Sequence, residues 1–175
     1  MALSKIDAAN FLTGTIPQGN VANASLGAVT ALPGAIPTGK VLQVVGGTST
    51  TQVGVTANSY TDTGLTANIT PASTSNKVLI IIQQSIGKGA ANTWTDVKLQ
   101  RAGTDIAHMK SLTYNGAAQA NYIGAGSGFS YLDSPSSTSA LTYKTVFRNV
   151  TGTGTVNAQV DGGISMITLL EIAGW

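Results

Sequence analysis

The sequence predicts an all-β protein: an antiparallel, jelly-roll-like β-sandwich preceded by an extended N-terminal leader. From Lys40 onward, about ten short segments alternate apolar and polar residues between turns rich in Gly, Ser and Asn. No segment has the periodicity of a long amphipathic helix. Charged residues make up only 9% of the 175 residues, while 42% are hydrophobic. An uncharged β-rich composition favours assembly through large protein–protein contacts.

Residues 1–39 are predicted to form the leader, which serves for attachment or trimerisation. No charge occurs between residues 8 and 39, and a Gly-x-Ile-Pro-x-Gly hexapeptide occurs twice, at 14–19 and 34–39. Each Pro favours an extended residue before it, and each final Gly permits a turn. Because disordered segments are usually poor in hydrophobic residues, we expect the leader to be ordered by neighbouring copies or by a docking partner. The apolar residues expected to make this contact are Phe11, Ile16, Val21, Leu26, Leu32 and Ile36.

Residues 40–175 are predicted to form the sandwich. Three local features refine this prediction: Gly46-Gly47 closes the first strand, Gly64 forms a bulge, and the run from Val78 to Ile82 is buried on both faces. The predicted strands are residues 40–45, 52–56, 60–70, 77–86, 94–101, 104–110, 121–132, 141–149, 154–160 and 164–172.

Composition argues against several functional classes. The chain has no cysteine, so neither disulfides nor thiolate metal sites are expected. The nine Lys and Arg residues are scattered, whereas nucleic-acid binders concentrate basic charge on one face. The longest aliphatic run, Val78 to Ile82, is too short to span a bilayer. We therefore expect no nucleic-acid partner and no membrane insertion.

Several stretches resemble a known family. They are residues 61–71 running into 73–80, then 131–135, 140–143 and 167–172. In order and spacing they resemble the C-terminal domains of bacteriophage tail-fibre-like virion proteins, especially those from phages of marine bacteria. The resemblance implies a homotrimeric knob located in the virion. Its partners would be other virion proteins and a glycan or protein of the host cell surface.

The leader departs from that family. Long tail fibres usually carry a large N-terminal docking domain and a shaft, but only about forty residues precede the sandwich here. The chain is therefore interpreted as a short fibre or fibre tip for host adhesion, or alternatively as a capsid decoration or head fibre protein anchored by its leader.

Catalytic chemistry finds little support in the sequence. His108 is the single histidine and would have to act alone as base or principal ligand, so we interpret it as a strand residue at a surface or subunit contact. Asp62 and Asp133 lie in turn-like contexts, and Asp96 with Lys98 is interpreted as a solvated pair. We expect no enzyme, no cofactor and no metal. A polysaccharide depolymerase remains a weaker alternative, because two carboxylates could meet across strands or subunits.

Aromatic residues in or beside loops are the candidate receptor contacts. Trp94, Tyr114 and Tyr122 could form a platform for a glycan, since binding residues concentrate on loops. Trp94 could equally be a core anchor. Trp175, the last residue of the sequence, is expected to contact its own sandwich or another subunit.

Overall fold

The computed structural model describes residues 40–112 and 123–174. The predicted leader, residues 1–39, lies outside them. The described residues form ten strands and one short 3-10 turn at Val160–Gly162. The strands are β1 Val41–Ser49, β2 Val53–Val55, β3 Thr61–Ile69, β4 Lys77–Lys88, β5 Thr95–Arg101, β6 Thr104–Leu112, β7 Ile123–Asp133, β8 Leu141–Asn149, β9 Val156–Ala158 and β10 Ser165–Ile172.

The strands form two antiparallel sheets, which confirms the predicted sandwich. The six-stranded sheet has the order β1-β10-β4-β9-β2, and β7 pairs with the other edge of β4. The four-stranded sheet has the order β3-β8-β5-β6. Setting aside the short β2–β9 pair, the strands pair from the outside of the sequence inwards: β1 with β10, β3 with β8, β4 with β7, and β5 with β6. This is a long hairpin rolled into two layers, as in a jelly roll.

Alternation of side chains along the strands produces the core between the layers. One buried cluster contains Ile80, Tyr143 and Leu169, and a second contains Ile86, Phe147 and Val156. Residues that lie between these clusters along their strands are polar. Thr63 and Thr145 hydrogen-bond through their hydroxyls at 2.6 Å, and Gln84 is fully buried on β4. The core is therefore two apolar regions separated by a polar layer.

Gly46-Gly47 does not end the first strand, which continues to Ser49. A Cβ atom on Gly47 would lie 1.9 Å from the carbonyl oxygen of Thr66 on β3. This glycine is needed because the two layers approach each other closely at this point. The bulge predicted at Gly64 is confirmed, since Gly64 has a φ of 79° and the β3–β8 register shifts between Asp62 and Thr66.

From Val78 to Ile82, strand β4 is buried on one face only, which corrects the prediction that this run is buried on both. Val78, Ile80 and Ile82 are buried, but Ile81 leaves 46% of its surface exposed. Leu79 lies on the same outward face and is half-buried. An apolar run therefore reaches the outer surface of the six-stranded sheet.

Two polar clusters close the end of the sandwich where the chain enters at Lys40. Glu171 accepts hydrogen bonds from the Ala72 amide at 2.7 Å, the Asn76 side chain at 2.5 Å and the Gln43 side chain at 2.6 Å. Nearby, Asp133 accepts from both Arg101 and Tyr143, so it is a buried member of an ion pair and not a turn residue. Burial and the bond to Asp133 raise the pKa of Tyr143.

Candidate functional site

The sandwich has two opposite ends, which carry different strand ends and loops. The entry end carries Lys40, the start of β4 and the end of β10, which are joined through Lys77 and Ile172. The far end carries the last residues of β4 and β6 and the first residues of β5 and β7. There Lys88 pairs with Ile123 and Thr95 pairs with Leu112.

The described loops of the far end are tied together by hydrogen bonds. Asn149 at the end of β8 donates its side-chain amide to the carbonyls of Thr153 and Gly154, at 2.9 and 3.0 Å. Thr93 in the β4–β5 loop also donates to the Thr153 carbonyl, at 2.7 Å. These contacts hold the β4–β5 and β8–β9 loops side by side as a defined surface.

Trp94 lies in this far-end surface. Trp94 is half-buried, and its backbone carbonyl accepts a hydrogen bond from the Val150 amide at 3.1 Å. The other predicted receptor contacts, Tyr114 and Tyr122, lie outside the described residues, but both belong to the segment between β6 and β7. The two strands that flank this segment terminate at the far end.

The leader residues that were predicted to mediate attachment also lie outside the described part of the chain. They are Phe11, Ile16, Val21, Leu26, Leu32 and Ile36. Trp175 likewise falls outside it.

A cluster of polar side chains lies on the outer face of the four-stranded sheet, around Tyr60. We call it the Tyr60 cluster; its members come from the residue before β3 and from β5, β6 and β8. The hydroxyl of Tyr60 lies 2.9 Å from His108 Nε2, the Lys98 ammonium lies 4.1 Å from the centre of the tyrosine ring, and the Arg148 guanidinium carbon lies 4.9 Å from it. The members are Tyr60, Asp96, Lys98, Asp105, His108 and Arg148.

Ion pairs fix the charged members of the Tyr60 cluster. Arg148 donates to Asp96 at 2.9 Å, and Lys98 donates to Asp105 at 2.5 Å. The bond to Asp105 raises the pKa of Lys98, and the bonds from Lys98 and Gln100 lower the pKa of Asp105. Burial raises the pKa of Tyr60. Asp96 itself is buried and does not form the predicted solvated pair with Lys98.

The geometry around His108 does not match that of a nucleophile–base–orienter triad. Asp96 Oδ2 and the Tyr60 hydroxyl both approach Nε2 of the ring, at 3.4 and 2.9 Å. A triad uses the two ring nitrogens for two different partners, because one nitrogen takes the proton of the nucleophile while the other is held by the carboxylate. The cluster can bind hydroxyl and anionic groups, and a shallow groove of about 300 Å³ beside it is lined by Lys98, Asp105, Ile106, Ala107 and His108.

The sequence alone did not reveal the Tyr60 cluster. Its members come from three separate parts of the sequence: Tyr60, the β5–β6 hairpin and Arg148. The register of three strand pairs brings them together, so that Asp96 faces Arg148 and Lys98 faces His108. The only local signal was the charged pair at Asp96 and Lys98. That pair alone does not indicate that Asp96 is covered by Arg148 of β8.

The described residues contain neither a metal-ligand cluster nor a membrane-spanning helix. Among residues 40–112 and 123–174, no three His, Asp or Glu side chains are grouped so that they could hold a metal ion. In that same part of the chain, no helix is long and apolar enough to cross a membrane.

Comparison with known proteins finds similarity to solved structures only. No protein family model and no curated protein matches the sequence. The VP2 subviral particle of infectious bursal disease virus is 13% identical with a TM-score of 0.38, over 75% of this chain and 37% of that one. The insecticidal delta-endotoxin Cry8Ea1 from Bacillus thuringiensis is 16% identical with a TM-score of 0.30, over 71% of this chain and 19% of that one.

This chain therefore spans well under half the length of these two solved chains. At these TM-scores the similarities identify neither a fold family nor a function for it.

Proposed function

We propose that the protein is a structural component of a bacteriophage virion, forming a short homotrimeric fibre or fibre tip that adheres to the host surface. The observation that carries this proposal is the opposition of the two ends of the sandwich. The chain enters at Lys40, and the loop that contains Trp94 lies at the other end. Such an arrangement suits a knob that is attached on one side and makes contact on the other.

The sequence adds two lines of support. Stretches such as 61–71 and 131–135 resemble tail-fibre-like virion proteins, and the chain is unusually poor in charge for a protein that works alone. The far-end loops would meet a glycan or protein of the host surface, with Trp94, Tyr114 and Tyr122 as the contact residues.

A non-enzymatic role accords with the chemistry of the Tyr60 cluster. Asp105 is paired with Lys98, which lowers the pKa of its carboxyl and disfavours the protonated form that a general acid needs. A polysaccharide depolymerase is the alternative from another class. It predicts cleavage of host polysaccharide by the purified protein, which we do not expect.

Capsid decoration is the second candidate within the virion, and the composition of residues 8–39 favours it. This stretch has no charge and several large apolar residues, which suits contact with a protein shell. In this form the leader would hold the shell and the sandwich would stand outside it.

Location and copy number in purified virions test the proposal and separate the two candidates. Gold-labelled antibodies at a tail tip, together with a few trimers per particle, are expected for a fibre. Label spread over the shell with many copies would support decoration instead, and absence from purified particles would contradict a virion role altogether.

Adhesion is tested separately with the full-length protein and host cells. A Trp94→Ala, Tyr114→Ala and Tyr122→Ala triple variant should lose at least about tenfold in cell binding, because aromatic anchors often dominate interface energies. Thr74→Ala, in an exposed entry-end loop, is the control and should bind as the unmodified protein does. Equal binding by the triple variant and the unmodified protein would contradict this adhesion surface.

A further inference from the structure

Across four strands, the outer face of the six-stranded sheet has a central region without charged residues, and Lys77 lies at its entry-end edge. Val44 on β1 pairs with Leu170 on β10, which pairs with Leu79 on β4, which pairs with Leu132 on β7. Directly paired residues point to the same side of a sheet, so these four side chains form one continuous row. Two more rows follow it. We call the three rows the apolar face: Val44, Leu170, Leu79, Leu132; Gly46, Thr168, Ile81, Ser130; Thr48, Met166, Gln83, Gly128.

Large hydrophobic side chains on the apolar face are open to solvent in the single chain. Val44 exposes 61% of its surface, Leu132 49%, Ile81 46% and Met166 43%. Single exposed hydrophobic residues are ordinary, but a contiguous apolar patch of several hundred Å² marks an interaction site. Exposure of adjacent rows on one face therefore points to a partner.

The outer face of the four-stranded sheet, on the opposite side of the sandwich, is charged. It carries the ion pairs of the Tyr60 cluster and the Asp62–Lys144 pair, which has a distance of 2.6 Å. Charged residues are depleted from the centres of protein interfaces, and ion pairs of this type are common on solvated surfaces. The two faces of the same sandwich are thus distinguished by charge.

We propose that the apolar face is the surface through which copies of this chain associate, packed towards the symmetry axis of the homotrimer. This inference rests on the proposed function for the trimer and adds to it the face that is used. A second copy fits because the apolar face contains no charged residue, so identical faces meet without placing like charges opposite each other. A charged partner would find no complementary group there.

The apolar face supplies the central part of such a contact. Its three rows span five residues on each of four strands, which at about 3.4 Å per residue and about 4.8 Å between strands is roughly 330 Å² in projection. The accessible area of a surface that carries side chains is larger than its projection. Specific interfaces bury about 800 Å² per partner, so residues around the apolar face would complete the contact.

Charge substitution on the apolar face tests the inference in the full-length protein. Ile81→Lys and Val44→Lys replace exposed side chains, so each subunit should fold, which circular dichroism checks. In sedimentation experiments the unmodified protein should be an oligomer at micromolar concentration, and either variant should raise the dissociation constant at least about 100-fold. Thr142→Lys, exposed on the outer face of the four-stranded sheet, is the control and should leave assembly unchanged.

Cross-linking identifies the occupant of the face. Because the chain has no cysteine, Ile81→Cys and Thr142→Cys each introduce a single thiol. A short bis-maleimide should join copies through Ile81→Cys and not through Thr142→Cys.

A monomeric unmodified protein, as expected if the leader of the same chain covers the face, would overturn the inference. An oligomer that is insensitive to both lysine variants would overturn it too, while leaving the homotrimer of the proposed function intact. The location of the protein in virions is measured independently. A failure of the proposed virion role is therefore distinguishable from a failure of this inference.

Discussion

Gly47 shows how a single residue sets the distance between the two layers. It lies within β1, where this strand of one sheet passes β3 of the other, and the carbonyl of Thr66 occupies the space that a side chain would need. Its neighbour Gly46 points outward, and a Cβ atom there would lie 3.8 Å from the Ile167 carbonyl oxygen. Adjacent glycines therefore have different roles.

We expect Gly47→Ala to lower the free energy of unfolding by about 3 kcal/mol, because the backbone of β1 or β3 must move to admit the methyl group. Gly46→Ala is the matched control and should be neutral or slightly stabilising, since its methyl group would make only an ordinary van der Waals contact. Chemical denaturation of both variants measures the difference. Equal stability of the two would contradict the close approach of the layers.

Glu171 is expected to make the fold sensitive to acid. Burial raises the pKa of Glu171, but hydrogen bonds from Gln43, Asn76 and the Ala72 amide outweigh it, and the pKa lies below its ordinary value. A lowered pKa contributes stability that is present above the unfolded pKa of about 4.3 and is lost as the pH falls further.

Glu171→Gln should therefore be less stable than the unmodified protein at pH 7, by about 1–3 kcal/mol, because one end of the amide faces donors. The difference in stability between the two proteins should become smaller below about pH 4, as measured by thermal unfolding. A gap that stays constant with pH would show that Glu171 is not the titrating group.

At the scale of the elements, the positions of the strands follow from the sequence, and their ends and faces follow less well. Alternation and turn residues predict all ten strands because both signals are local. The predicted end of β1 was wrong because a glycine pair can mark either a turn or a close approach of two strands. The prediction that the outer face of β4 is buried was wrong, because an apolar run has the same pattern whether its second face lies in a core or on a surface.

The polar layer within the core gives an element-scale prediction. Among the described residues, the amide of Gln84 on β4 has no hydrogen-bond partner although it is fully buried. A buried amide without partners costs about 1–3 kcal/mol, so Gln84→Met should raise the free energy of unfolding by about 1 kcal/mol or more.

Gln84→Glu is the companion variant, with a similar shape and an added charge. It should be strongly destabilising at neutral pH, because an unpaired charge is costly to bury. Urea titrations compare the three proteins. A loss of stability in Gln84→Met would contradict the absence of a partner.

At the scale of the whole molecule, the sandwich was predictable, whereas the separation of charge between its two outer faces was not. That separation depends on which strands become neighbours. Asp96 and Arg148, or Leu79 and Leu132, are paired by long-range register that a local pattern does not contain. The Tyr60 cluster and the apolar face emerge only once the hairpin is rolled up.

The uncharged character of the apolar face predicts how assembly responds to salt. Between about 0.05 M and 1 M sodium chloride, the Debye length falls severalfold, yet an interface without charges loses no attraction. The oligomer should persist across this range in sedimentation experiments and be strengthened by sulfate, which favours apolar burial. Dissociation by sodium chloride would show that an ionic surface holds the copies together.

The rolled-up pairing of strands also has a consequence for synthesis on the ribosome. Strand β1 emerges first of the ten described strands, yet its sheet partner is β10, and even the nearest pair joins Ser49 to Ser165. At about 5–20 residues per second, β1 waits roughly ten seconds for this partner. The β5–β6 hairpin, by contrast, can close at once. The nascent chain should therefore nucleate in its middle and finish at its two flanks.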